Sequence, residues 1–165
     1  MLAHTLPVEN KIKDMQYKIL FRFLPTSKLL YKMKKRNTPN CLWCLTEVHT
    51  IEHLFYNCVK VKCFWLKLCD ALCRICKIEY PFLKLRDIIL GYKFVNILEN
   101  REVNTIILQA KYYIFKSHIN EKELHMPSFC NVLANYVLYF QASVEGTSNQ
   151  TIIQNVENLI CLLRS

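Results

Sequence analysis

The chain has 165 residues, 52% of them hydrophobic, with nine cysteines, two glycines, five prolines and a formal charge of +9. That apolar content excludes a disordered chain, and so few glycines and prolines argue against an all-β fold with its many tight turns. The charge is uneven: residues 1–80 carry 14 Lys/Arg against 6 Asp/Glu, giving +8, whereas residues 81–165 carry 8 against 7, giving +1.

Ile12, Met15, Ile19, Leu20 and Phe23 recur at three- and four-residue steps, which predicts a helix over Glu9–Phe23 that Pro25 stops. Thr26 or Ser27 can cap a second helix through Leu29, Leu30 and Met33, ending in Lys32, Lys34, Lys35 and Arg36. Cations suit a helix C-terminus, but four in five positions exceed what the helix dipole requires, so phosphate contact stands beside that reading. A cysteine-rich segment follows, from Cys41 to Cys58. Val61, Phe64, Trp65, Leu68, Leu72 and Ile75 then mark a long helix over Val59–Ile78, broken at Pro81. Phe82–Phe94 reads as an irregular connection with an extended piece at Asp87–Leu90. Val103, Ile106, Ile107, Ala110 and Ile114 place one apolar face on a helix over Glu99–Ile119. Pro127 opens another, rich in Val132, Leu133, Tyr136, Val137 and Phe140; Glu145–Asn149 turns, and Thr151–Leu163 is a last short helix. Neither a secretory leader nor an apolar run of bilayer-spanning length is visible, so an intracellular protein, nuclear or cytoplasmic, is expected without membrane attachment.

The cysteine-rich segment carries the chemistry. It reads Cys41-x2-Cys44-x8-His53-x4-Cys58. A Cys-x-x-Cys pair can bend both sulfurs toward one ion, and a His and a Cys just over one helical turn apart can supply two more ligands from a helix end. Thr38-Pro39-Asn40 is a turn signal before the first pair, and Thr50 is a fair N-cap for a helix carrying Ile51, Leu54 and Phe55. Three thiolates and an imidazole leave no position open for water, which describes a structural zinc rather than a catalytic one. With nine cysteines some close spacings arise by chance, and free cysteine is often a small buried hydrophobe. His49 competes for the third position, and Cys63 is a conceivable substitute; His53 is preferred because its helix presents Cys58. Cys73-x2-Cys76 lacks both a partner pair and the context of a redox motif.

No glycine-rich phosphate loop, nucleophile elbow, His-Glu-x-x-His or paired acids of a two-metal centre is present, so catalysis by this chain alone is not expected, nor a small-molecule substrate. A basic half that also holds the zinc pattern suggests a polyanion, most simply RNA or DNA, though solubility charge is the plain alternative. Lys32, Lys34, Lys35 and Arg36, with Lys60 and Lys62, are the candidates for phosphate contact. Trp43 is a candidate base-stacking ring if exposed, and a core residue otherwise. The fold class is mainly α, with a small zinc-knuckle loop inserted among helices and a helical C-terminal tail. It divides into a zinc-binding module over 1–80 and an extension over 81–165.

The runs Tyr17–Thr26, Leu30–Met33, Cys41–Cys44, Ile51–Cys58 and Phe64-Trp65 resemble, in order and spacing over roughly residues 11–70, the zinc-binding region that follows the reverse transcriptase of LINE-type (non-LTR) retrotransposons. Asp87–Gly91 and Ile106–Tyr113 resemble the ends of such polyproteins more loosely. The resemblance implies zinc on Cys41, Cys44, His53 and Cys58, and a nucleic-acid-handling accessory module of a reverse transcriptase. Two features depart from it: no polymerase or endonuclease section accompanies the module, and Leu45-Thr46-Glu47 stands where many relatives carry a glycine. The other expected role is structural, a fragment whose helix Ser128–Val144 docks on a polymerase domain or another protein.

Overall fold

The computed structural model describes residues 6, 8–76, 83–92, 97–143 and 148–164. Among them the only regular elements are helices, joined over residues 33–50 by a non-helical segment with one isolated antiparallel bridge between Asn40 and Val48. The helices are α1 (Asn10–Leu20), α2 (Ser27–Lys32), a π-helical turn (His53–Asn57), α3 (Val59–Cys76), α4 (Leu85–Leu90), α5 (Ile97–Ile119), α6 (Met126–Ser143) and α7 (Ser148–Arg164). The mainly-α expectation therefore holds, with the Cys/His loop set among helices. The expected break at Pro81, the side chain of Cys76 and the first part of the expected 145–149 turn lie outside the described residues. None of the described helices is long and apolar enough to cross a membrane.

The core is one connected cluster running from Leu6 and Ile12 through Phe55, Leu68 and Ile107 to Phe140 and Leu159. Described residues from both the 1–80 and the 81–165 stretch belong to this cluster. At its centre lies α5. Every residue from Glu102 to Lys111 is buried, so the single apolar face expected for this helix is in fact burial all round. The polar members survive there because partners meet them: Asn155 Nδ2 donates to Glu102 Oε2 at 2.7 Å, and Asn104 exchanges two bonds with the backbone of Tyr92. Lys111 Nζ donates to Gln16 Oε1, and Gln16 Nε2 donates in turn to the Ile89 carbonyl at 2.8 Å.

Two local expectations are corrected. Asp87–Leu90 is not extended but forms most of the short helix α4, where Lys84 N–H donates to the Asp87 carboxylate at 3.0 Å as an N-terminal cap. Phe23 does not join the α1 stripe. The helix ends at Leu20, Arg22 takes a left-handed conformation at φ 63°, and the Phe23 and Leu24 amides close back on the Lys18 carbonyl at 2.8 and 3.2 Å. Beyond that reversal the helical period no longer applies, and Phe23 faces solvent. The second helix begins as its sequence suggests, with the Thr26 hydroxyl accepting from Leu29 N–H at 3.3 Å, and ends in a like reversal at Lys34. Met33, counted among its apolar residues, is exposed there.

Candidate metal centre

Between Pro39 and His49 the chain runs out and back as a narrow finger. His49 N–H donates to the Pro39 carbonyl at 2.9 Å and Cys41 N–H to the Glu47 carbonyl at 2.8 Å. At its tip Leu45 N–H closes on the Cys41 carbonyl at 3.0 Å, which turns the chain so that both sulfurs face inward. Leu45 pays for that turn with a left-handed backbone, φ 62°, at the position where glycine is free of strain. Its side chain is 69% exposed, so little packing would be lost with it. Leu45→Gly is therefore expected to raise stability by about 0.5–1 kcal/mol; a lower urea midpoint in that variant would show that the side chain is needed.

The returning strand leads to Thr50, whose hydroxyl accepts from His53 N–H at 3.1 Å, the N-cap expected there. The helix it starts is not regular. Cys58 N–H bonds to the His53 carbonyl at 3.0 Å, five residues back, which is a π turn. At about 100° per residue, an α-helix would set residues five apart roughly 140° around its axis. The wider π turn brings His53 and Cys58 to one side. Trp65 Nε1 holds the distorted segment by donating to the Phe55 carbonyl at 2.8 Å, and Phe64 and Trp65 are both buried, as their spacing implied.

The ligand atoms of Cys41, Cys44, His53 and Cys58 all lie within 4.8 Å of one another. Cys41 Sγ and Cys58 Sγ are 4.0 Å apart, and Cys44 Sγ lies 3.4 Å from His53 Nε2. A tetrahedral ion bound at about 2.3 Å to sulfur separates its ligand atoms by about 3.8 Å, so the four residues fit one ion. The surroundings favour one thiolate, at Cys58. The hydrogen bond with Cys41 draws the Cys58 thiol down to about 7, against the effect of burial, and the N–H groups of Lys60 and Val61 at the start of α3 act in the same direction. In the same pair Cys41 is pushed up, first by Cys58 and then by burial, while His118 and the N–H groups of Cys44 and Trp43 oppose that rise. Cys63 is exposed and outside the cluster. Burial pushes Cys73 up, the opposite of an activated redox thiol.

His49, the competing ligand, is placed elsewhere. Its Nδ1 accepts from Ser27 N–H at 2.8 Å, so the ring caps α2. Burial, reinforced by His118, His53 and Arg36, holds it down to about 3, and the neutral ring carries its proton on Nε2, which has no hydrogen-bond partner among the described residues. The ring stacks on His118 at 3.8 Å between centroids. His118 is the residue that sequence reasoning missed. Buried at the end of α5, it brings Nε2 to 4.0 Å from Cys41 Sγ and meets Trp43 edge-on at 4.9 Å. With its proton on Nε2, His118 would be the outer contact that orients Cys41 and stabilises its charge in a metal-bound state. No local spacing could have pointed to a residue 77 positions away.

The candidate phosphate contacts fall into three groups. Lys32, Lys34, Lys35 and Lys62 are exposed, and among the described residues none of them pairs with a carboxylate. Lys60 stands 3.9 Å from Glu123 in an exposed pair. Arg36 is half-buried and donates to Ser27 Oγ at 2.9 Å, beneath His49. Trp43 is half-buried, its Nε1 donating to the Lys122 carbonyl at 3.1 Å; it also lines an open cleft of about 510 Å³ with Lys60, Lys67, Glu121 and Glu123. Set against protein-family models, curated proteins and solved structures, the chain matches none of them.

Proposed function

We propose that this chain is a zinc-stabilised module that binds the backbone of RNA or DNA and has no catalytic centre of its own. The observation that carries the reading is the charge of the segment the metal loop anchors. From Met15 to Thr46 there is no Asp or Glu, against Lys18, Arg22, Lys28, Lys32, Lys34, Lys35 and Arg36. Glu52 engages Arg22 and Asp14 engages Lys18, whereas Lys32, Lys34 and Lys35 stay exposed beside the finger. A field of one sign with uncommitted ammonium groups suits a polyanion. Zinc is the metal favoured by three thiolates and an imidazole in a closed tetrahedron. Bound by Cys41, Cys44, His53 and Cys58, it would supply a crosslink between the finger and the π turn and no reactive position. The resemblance over residues 11–70 supports descent from the accessory region of a LINE-type reverse transcriptase, whose polymerase is then a natural partner.

The test combines metal and salt. Native mass spectrometry should find one zinc per chain, lost in His53→Ala and kept in His49→Ala. Replacing Lys32, Lys34 and Lys35 together by alanine should weaken binding and flatten the slope of log K on log salt by about 2–3. Unchanged affinity and slope in the triple variant would remove these lysines from the interface. A second reading is favoured by Leu138 and Tyr139, which α6 leaves exposed: a face that docks on a polymerase domain or other protein. Zinc-loaded protein without measurable nucleic-acid affinity would give that reading precedence.

A further inference from the structure

Five large aromatic side chains are exposed among the described residues, and four of them, Tyr17, Phe21, Phe23 and Tyr31, fall in one short stretch of the chain. These four residues are 45%, 51%, 65% and 49% exposed. None is placed there by the needs of the core. Tyr17 and Phe21 sit on the outer side of the end of α1, one helical turn apart, with ring centroids at 4.5 Å. Phe23 is turned outward by the left-handed residue Arg22, and Arg22 itself is tied to Glu52 beside the metal ligand His53. Tyr31 stands on the last turn of α2, between Lys28 and Lys32. Rings left in water at this density mark a binding surface rather than chance exposure.

The charge around them selects the occupant. The stretch belongs to the acid-free segment Met15–Thr46; each ring has a cation as sequence neighbour, Lys18 and Arg22 being engaged by Asp14 and Glu52 from outside the segment while Lys28 and Lys32 flank Tyr31. A polyanion that also offers flat apolar faces satisfies both properties at once. A single nucleic-acid strand is such a ligand, since its unpaired bases stack on aromatic rings while its phosphates meet lysines. A duplex presents phosphates but keeps its base faces stacked inside. An acidic peptide presents charge without the faces. We infer that the segment from the end of α1 to the end of α2 is a stacking platform for unpaired bases, with Phe21 and Phe23 as its principal rings, so that the module prefers single-stranded RNA or DNA to duplex. This rests on the nucleic-acid reading above and adds to it a strand preference and the residues that would set it.

The test uses the zinc-loaded full chain, a fluorescent oligo(dT) strand and a hairpin duplex of matched phosphate number. The double variant Phe21→Leu/Phe23→Leu keeps exposed apolar side chains in place, and its metal content and circular dichroism serve as the check on folding. Wild type should bind the strand about tenfold or more tightly than the duplex, and the double variant should lose most of that preference while its duplex affinity stays unchanged. Equal affinity for strand and duplex, both unaffected by the double variant but both weakened by the triple lysine variant, would overturn stacking and leave backbone binding intact. Binding of neither would overturn both readings. Self-association in sedimentation, abolished by the double variant, would then assign the rings to a second copy of this chain.

Discussion

Cys44→Ser protein will purify without stoichiometric metal, and hydrogen exchange will show protection lost over residues 38–58 and also around 116–124. The first stretch follows from the ligand set, since binding free energy on the order of 10 kcal/mol at such sites is folding free energy. The second follows from the contacts of the finger with the end of α5, where His118 faces Cys41 and Trp43 bonds to Lys122. Cys41, Leu54, Phe55 and Cys58 belong to the same core as Ile107 and Phe129, so the damage should not stop at the loop. The helix pair α6–α7, packed on itself and on α3, should retain more of its protection. Native-like protection throughout residues 38–58 in the metal-free variant would mean that the four residues are packing groups, and the metal-centre reading would fail.

Lys111→Met should raise stability at neutral pH, against the usual direction for a core substitution. Lys111 is 1% exposed, and burial alone lowers its pKa from 10.5 to about 7. The sign follows from linkage. Between about 7 and 10.5 the unfolded chain holds a proton that the folded chain has released, so wild-type stability climbs as pH rises through that window. At or below the lower end the penalty is fully present, on the order of 4 kcal/mol. Methionine fills similar volume without charge, but it leaves Gln16 Oε1 without its donor, a loss of about 1–3 kcal/mol. The net gain at pH 7 should be about 1–3 kcal/mol, shrinking to nothing or reversing near pH 10. Urea melts of both proteins at the two pH values decide it. A wild type with flat stability across the window, together with a destabilised variant at pH 7, would contradict a net burial penalty on the ammonium.

The clustering of Cys41, Cys44, His53 and Cys58 was legible because all four fall within a short, locally folded segment, where spacing and caps are what the physics uses. The π turn was not. Hydrophobic period locates Leu54 and Phe55 in the core either way, and the extra residue shows only in the bond from Cys58 to His53. His118 was hidden for a different reason: at a helix end it reads as an ordinary cation for the dipole, and its contact with Cys41 exists only after the halves meet. Ile88 and Ile89 suggested an extended piece because β-branched residues dominate so short a run, until the Asp87 cap decides for helix. In α5 the polar residues between apolar ones implied a wet face. Their burial depends on Gln16, Tyr92 and Asn155, partners that no periodicity names.

The reach of His118 back to Cys41 also sets an order of assembly. All four ligands leave the ribosome together, long before α5 does, and closing so short a loop costs little entropy. An ion held by these four residues would be taken up while the C-terminal half is still being made. The end of α5 would then arrive at a surface already shaped by it. A chain whose four-residue cluster stayed empty would present the same late helix with no shaped partner to close on, and its apolar sides would remain open to other chains.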